Sequence, residues 1–347
     1  MPRALVLVLT HNSYHTIRAC LESLERALGS ELEAATLVVD NASTDGTVEE
    51  VRTRFPRLRL IESDENLGYA AGNNRGIRTA LELGCEFVYL LNPDARVEAG
   101  FLEEACAAMD GQPAAAAVQS LLLLEPDGER IDSSGNRIHF LGFGLCEQHG
   151  AQRAEAPSAG RDIGFASGAA VLLRLSALAD VGLLEERLFL YCEDLDLCWR
   201  LRMAGYGIRL APGSVVLHRH EFARNPEKYF YLERNRWLVL LRVASARTLL
   251  LLAPALLASE LAILLLALRS GWAGQKLRAL AALVSLDTWR YLASSRREIQ
   301  RRRRLRDREV MRDFTSRMEL EYGRSWLLER IANPVLGALW RILARLL

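Results

Sequence analysis

Four short apolar runs recur along the first ninety or so residues, and a helix-patterned stretch separates each from the next. ALVLVL (4–9), ATLVVD (35–40), LRLIES (58–63) and FVYLLN (87–92) read as strands. SYHTIRACLESLERAL (13–28), DGTVEEVRTRF (45–55, capped by Thr44 or Asp45) and YAAGNNRGIRTALELG (69–84) read as helices. Antiparallel neighbours join through tight turns, whereas parallel strands need a long crossover, usually a helix. The alternation therefore predicts an α/β fold with a mostly parallel sheet covered by helices.

The pattern then loosens. AAAAVQSLLLLEPDG (114–128) reads as a strand and turn, IHFLGFG (138–144) as a hairpin arm and AQRAEAPSAGRD (151–162) as a polar loop. FASGAAVLLRL (165–175) and GIRLAPGSVVLHRH (207–220) read as strands, and EDLDLCWRLRMAG (193–205) as a helix closed by glycine. Beyond about Tyr229 the chain turns helical, first oily and then rich in arginine. The predicted division is a catalytic domain over 1–235 and a helical tail over 236–347.

Whole-chain totals exclude little. Net charge is +1, so no strong field draws nucleic acid. The six cysteines show no C-x-x-C pair and no zinc spacing, which suits a reduced, cytoplasmic protein. The N-terminus opens directly on a strand pattern, with no signal-peptide pattern before it.

Open α/β sheets bind ligands at the carboxyl ends of their strands. Here those ends are polar in every case: Thr10-His11-Asn12, then Asp40-Asn41 and the residues to Thr47, then Asn66 to Asn74, then Asn92-Pro93-Asp94. Each has a plain structural alternative. Asp40 and Asp94 suit turns, and Gly68, Gly72 and Gly76 suit close helix–sheet packing. These glycines do not make a G-x-G-x-x-G, so a nicotinamide cofactor is not expected. The recurrence at four strand ends favours a binding rim.

A second cluster lies in LFLYCEDLDLCWRLRMAGYG (188–207). Glu193, Asp194 and Asp196 open a helix, where acids complement the dipole. Asp196 precedes Arg200 by four and is expected to be structural. Asp194 shares a face with Cys198 and Leu201, so its carboxylate points toward the interior and suits a general base. Trp199 reads as core more readily than as an acceptor platform. His218, or its neighbour His220, ends a strand and could join Asp94 in an oxygen–nitrogen metal site.

VVDNASTDGT, NLGYAAGNN, LLNPDA, FASGAAVLLR and LFLYCEDLDLCWRLRMAGYG, in that order, resemble the inverting family 2 glycosyltransferases of GT-A fold, the rhamnosyltransferase-like branch above all. The similarity covers roughly residues 4–235. It implies a nucleotide-diphosphate sugar, dTDP- or UDP-linked, bound by Thr10, Asn12, Asp40, Asn41, Asn66, Gly68, Asn73, Asn74, Asn92 and Gly168. It implies Asp194, with Glu193 beside it, as the catalytic carboxylates. It implies a divalent metal, Mg²⁺ or Mn²⁺, on Asp94 and His218. Asn92 stands where the first acid of the family's D-x-D motif stands, and His11 where an aromatic is more usual. The implied reaction is sugar transfer, with inversion, to a hydroxyl of a lipid-linked or cell-surface glycan.

The tail bears on location. LLLLAPALLASELAILLLAL (249–268) is long enough to span a bilayer, but Pro254 and Glu260 interrupt it. Arg242 and Arg247 precede it; Arg269, Lys276, Arg278 and the Arg296–Arg308 cluster follow. Positive charge on both sides disfavours a single span and favours a helical hairpin held at the cytoplasmic face of the membrane through residues 249–308. A buried dimerisation helix, and hence a homo-oligomer, is the alternative. Two other functions stay open: a nucleotidyltransferase, although LTHNSYHTIR lacks a basic phosphate loop, and a non-catalytic nucleotide-binding scaffold, which would not need Asp194.

Overall fold

The computed structural model describes residues 2–29, 35–219, 227–319 and 326–347. His220 lies outside the described residues. The chain packs as two compact units: Met1–Asn136 with Cys146–Leu201 and Tyr206–Glu221, and Arg137–Leu145 with Arg202–Gly205 and Phe222–Leu347.

The first unit is built on a mixed sheet. Its strands are β1 (Ala4–Thr10), β2 (Thr36–Asp40), β3 (Arg59–Glu62), β4 (Phe87–Leu91), β5 (Ala95–Val97), β6 (Ala115–Leu124), β7 (Ile131–Ser133), β10 (Arg161–Asp162), β11 (Ala170–Arg174) and β12 (Gly207–His218). A separate pair, β8 (Asn136–Ile138) and β9 (Gly144–Cys146), forms a hairpin; of the arm expected at 138–144, residues 139–143 are instead the turn that joins the two strands. The main order is β10-β12-β6-β11-β4-β1-β2-β3, with β5 beside β12 and β7 beside β6. The β3-β2-β1-β4 block is parallel, as the strand–helix alternation predicts. Strand β11 enters antiparallel between β4 and β6.

Every residue of β1 is buried, because helices cover both faces and the strand can be apolar throughout. Helices α1 (Tyr14–Leu28), α2 (Thr47–Arg54), α3 (Gly68–Glu82), α4 (Phe101–Asp110), α5 (Leu175–Val181) and α6 (Glu193–Met203) complete this part. Close packing explains two glycines of α3. A Cβ at Gly72 would lie 2.5 Å from Leu9 Cδ1, and one at Gly76 2.3 Å from Leu7 Cδ1. The cap of α2 differs from expectation. Gly46, at φ +92°, occupies the N-cap, while Asp45 one residue earlier accepts from the Thr47 N–H at 3.1 Å. Only glycine takes that left-handed position without strain.

The second unit is helical: α7 (Lys228–Val243), α8 (Ala246–Ser270), α9 (Ala273–Leu283), α10 (Leu286–Arg302), α11 (Asp307–Val310) and α12 (Asn333–Leu346). Among the described residues α8 is the one helix long and apolar enough to cross a membrane. It runs unbroken through Pro254, and the chain turns only at Gly271. Glu260 reaches a buried ion cluster: Arg236 pairs with it, Lys276 lies 2.5 Å from its Oε2, and Lys276 also pairs with Glu233. Part of the arginine cluster is likewise turned inward. Arg296 donates to the Leu241 and Ala244 carbonyls at 2.7 and 2.5 Å, and Arg303 to Val243 O, so they satisfy the open carbonyl end of α7.

Candidate active site

Parallel register places Thr10 and Asp40 side by side at the ends of β1 and β2. Both are buried, and Thr10 Oγ1 and Asp40 Oδ1 have no hydrogen-bond partner. An unpaired buried polar atom costs about 1–3 kcal/mol, and a ligand donor or acceptor would relieve it. Asp40 Oδ2 accepts from the Ser43 N–H at 2.9 Å. Asn12 sits at φ +50°, a conformation asparagine tolerates, and its Oδ1 accepts from the Thr44 N–H at 2.8 Å. Asn41 ties the next loop in. Its Nδ2 donates to Asn66 Oδ1 at 2.9 Å and Gly68 O at 3.0 Å, and its Oδ1 accepts from the Leu67 N–H at 3.0 Å. The structure thus brings Thr10, Asn12, Asp40, Asn41, Asn66 and Gly68 to one rim.

Asn73 and Asn74 do not join them. Both are buried in α3. Asn73 Nδ2 donates to Tyr69 O at 3.0 Å, and Asn74 holds Leu184 through both its N–H (3.1 Å) and its carbonyl (2.8 Å). Their amides anchor the helix to the segment leading toward α6.

Asp194 is half-buried at the start of α6. Its Oδ2 accepts from the Gly168 N–H at 3.1 Å and its Oδ1 from the Leu195 N–H at 2.7 Å. Tyr69 Oη in turn donates to Gly168 O at 2.6 Å. A Cβ on Gly168 would lie 2.6 Å from that hydroxyl, so the glycine makes room for Tyr69. Burial pushes the Asp194 carboxyl above its ordinary pKa, and the backbone N–H of Gly168 and of Leu195 counters in part. Glu193 lies deeper, at 5 % exposure, with Oε2 unpartnered. Burial first, and then the Asp194 charge, hold it well above the usual carboxylate range. Of the two carboxylates expected to be catalytic, Asp194 is the one with an open side. The approach to α6 is strained: Phe189, Tyr191 and Cys192 have φ of +64°, +67° and +67°. Each costs of order 1–3 kcal/mol, strain that collects at functional sites. The Tyr69 N–H donates to Phe189 O at 2.7 Å and fixes this segment to α3.

The third group surrounds His218. Its Nε2 stands 3.5 Å from Asp94 Oδ1 and 3.5 Å from Asn92 Nδ2. Its Nδ1 lies 2.8 Å from Asp132 Oδ2. Burial alone would lower the imidazole pKa, but the hydrogen bond to Asp132 and the negative charge of Asp94 beside the ring push it up to about 10. Asp94 Oδ1 is buried and makes no hydrogen bond. Among the described residues no cluster of three or more His, Cys, Asp or Glu could hold a metal alone. A divalent cation nonetheless fits Asp94 and His218 as two donors. Magnesium commonly takes one or two carboxylates and completes its shell with substrate phosphates and water.

Asp196 and Arg200 form the expected pair, Nε to Oδ2 at 2.8 Å, both buried. Trp199 is fully buried core. Sequence reasoning missed Tyr69, hidden among the small residues of 66–74, and Asp132, in a three-residue strand with no pattern to flag it.

The profile of glycosyl transferase family 2 matches residues 5–182. An N-acetylglucosaminyl-diphospho-decaprenol L-rhamnosyltransferase of Mycobacterium tuberculosis is 31% identical over 246 residues, covering 65% of this chain and 79% of the relative. Among solved structures, GalNAc-T7 with UDP, GalNAc and Mn²⁺ superposes with TM-score 0.55 at 12% identity, over 69% of this chain and 47% of that one. TarS of S. aureus does so with TM-score 0.51 at 18% identity, over 99% of this chain and 53% of that one. The chain thus spans about half the length of these two structures. Their likeness bears out the GT-A fold expected from the sequence.

Proposed function

The chain belongs to glycosyl transferase family 2 and is a glycosyltransferase of the rhamnosyltransferase-like branch; on that footing we propose that it moves rhamnose from a dTDP- or UDP-sugar to a hydroxyl of a lipid-linked glycan, inverting the anomeric carbon. The observation that carries this is the half-buried Asp194, held by the Gly168 N–H and raised in pKa at the end of a polar rim. A carboxylate lifted toward the working pH is a better general base than an ordinary one.

Thr10 and Asp40 offer their unpaired atoms to the nucleoside, and Asn12, Asn41 and Asn66 shape the loops around it. An acceptor hydroxyl gives its proton to Asp194. Its oxygen bonds to the anomeric carbon as the bond to the diphosphate oxygen breaks on the opposite face, and the nucleoside diphosphate leaves with that electron pair. Asp94 and His218 would hold a divalent metal, Mg²⁺ or Mn²⁺, which when bound neutralises the leaving diphosphate. The likeness to the mycobacterial N-acetylglucosaminyl-diphospho-decaprenol L-rhamnosyltransferase supports rhamnose as donor sugar and a polyprenyl-diphosphate-linked sugar as acceptor.

A membrane-borne acceptor agrees with the second unit. Leu250, Leu257, Leu261, Leu265 and Leu268 project from α8, each more than 60 % exposed, while Glu260 faces the ion cluster. This face, with Arg269 and Arg278 nearby in sequence, suits an interfacial helix on the cytoplasmic leaflet.

Thermal stabilisation by UDP, dTDP and GDP, with and without Mn²⁺, tests the donor reading. A ligand that binds only the folded chain raises the melting temperature. The expected result is a shift from UDP or dTDP that Mn²⁺ enlarges, with the enlargement lost in Asp94→Ala. No shift with any nucleotide overturns it.

A further inference from the structure

We propose that Asp132 is a positioning residue for the metal-binding edge of the site, acting through His218; this rests on the reading of Asp94 and His218 as metal donors. Asp132 lies in β7 between buried Ile131 and Ser133, and alternation turns its side chain to the opposite face. Its carboxylate is only 4% exposed, and a buried charge there requires partners. It has two imidazoles. His218 Nδ1 lies 2.8 Å from Oδ2, and His149 Nδ1 lies 3.3 Å from Oδ1 and 3.0 Å from the Asp132 backbone carbonyl.

A histidine that donates Nδ1–H to a carboxylate presents Nε2 on its opposite edge, with its ring plane fixed. Here that edge faces Asp94 Oδ1 at 3.5 Å, the oxygen that has no hydrogen bond. The separation is long for a hydrogen bond, and the two atoms would serve as donors to one divalent ion. Asp132 therefore does for His218 what outer carboxylates do for metal-bound histidines elsewhere, and His149 Nδ1, at 3.0 Å from the Asp132 carbonyl oxygen, ties down the backbone that carries it. The arrangement also suits Asn92. With one acid fewer at the rim, the site depends more heavily on a well-oriented imidazole.

The test is Mn²⁺ binding to the full-length protein, read from the free-ion EPR signal, with metal-free UDP or dTDP binding measured beside it. Asp132→Ala should weaken Mn²⁺ binding about 10–100-fold, the usual effect of losing an outer-shell partner, while nucleotide binding without metal is unchanged. Asp132→Asn, which keeps an oxygen acceptor, should recover part of the loss. In a His218→Ala background, Asp132→Ala should have no further effect. An equal loss in both backgrounds would overturn the proposal, as would unchanged Mn²⁺ affinity in Asp132→Ala when His218→Ala weakens it. Mn²⁺ binding lost in Asp94→Ala but untouched by His218→Ala would overturn it differently, by removing His218 from the metal site. Should Asp132→Ala fail to fold, ¹⁵N shifts of the wild-type His218 ring answer the same question. Mg²⁺ should perturb Nε2 and leave Nδ1 protonated; the reverse pattern overturns the proposal.

Discussion

The Gly168 N–H donates to Asp194 Oδ2 at 3.1 Å, and this bond sets where the half-buried carboxylate points. Gly168 also carries the carbonyl that Tyr69 Oη grips at 2.6 Å, so a side chain at 168 would collide with the group that steadies it. Gly168→Ala should destabilise the fold by about 1–3 kcal/mol and lower kcat more than it raises the donor KM. Adding Tyr69→Phe removes the colliding oxygen and should restore part of the stability. Chemical denaturation of the single and double variants checks this; a double variant no better than Gly168→Ala would show that the strain lies elsewhere.

Glu260 interrupts an apolar helix yet is not exposed to a bilayer face, because Arg236 and Lys276 hold it. Lys276 is fully buried. Glu260→Leu makes α8 more hydrophobic but strands buried positive charge, and should cost about 3–5 kcal/mol. Glu260→Leu with Lys276→Met should recover much of that. Urea unfolding of both variants is the measurement, and a neutral Glu260→Leu would contradict the packing described.

Leu257 and Leu261 lie on the exposed side of α8, each 66% exposed. Replacing both by aspartate should reduce binding to anionic vesicles at least tenfold while leaving nucleotide-induced stabilisation intact. Co-sedimentation with vesicles of phosphatidylglycerol reads the first, and a thermal shift the second.

His139 makes the second unit sensitive to acid. Burial, with Arg236 nearby, lowers its pKa to about 4, and its Nδ1 accepts from the Leu141 N–H at 3.1 Å. The unfolded chain binds this proton near pH 6.5 and the folded chain does not, so stability rises with pH across that interval. The contribution is complete above about pH 6.5 and falls by roughly 3 kcal/mol as pH drops to about 4. His139→Asn, less stable at pH 7.5, should lose its disadvantage progressively toward pH 4.5. A gap that stays constant with pH would contradict a neutral His139.

The alternating strands and helices were legible in the sequence because hydrophobic periodicity is a local property. The rim was legible for the same reason: Thr10, Asp40 and Asn92 each follow directly on an apolar run. Asn73 and Asn74 misled, because a polar residue in the first turns of a helix does not declare which face it occupies. Asp132 was invisible. It meets His218 across 86 residues, from a strand too short to show a period. The strained loop was equally silent, since Phe189, Tyr191 and Cys192 lack the glycine or asparagine that usually marks a positive φ. Arg296 and Arg303 read as surface charge, and nothing local shows that they serve the carbonyl end of a helix fifty or more residues earlier.

The most direct test of the account is transfer itself. Wild type and Asp194→Asn would each be incubated with dTDP- or UDP-rhamnose, Mn²⁺ and a polyprenyl-diphosphate-linked N-acetylglucosamine, with product followed by mass spectrometry and nucleotide binding by thermal shift. The account predicts a rhamnosylated lipid product from wild type, and from Asp194→Asn at least about 10²–10⁴-fold less product with nucleotide binding retained. Undiminished transfer by Asp194→Asn would contradict it.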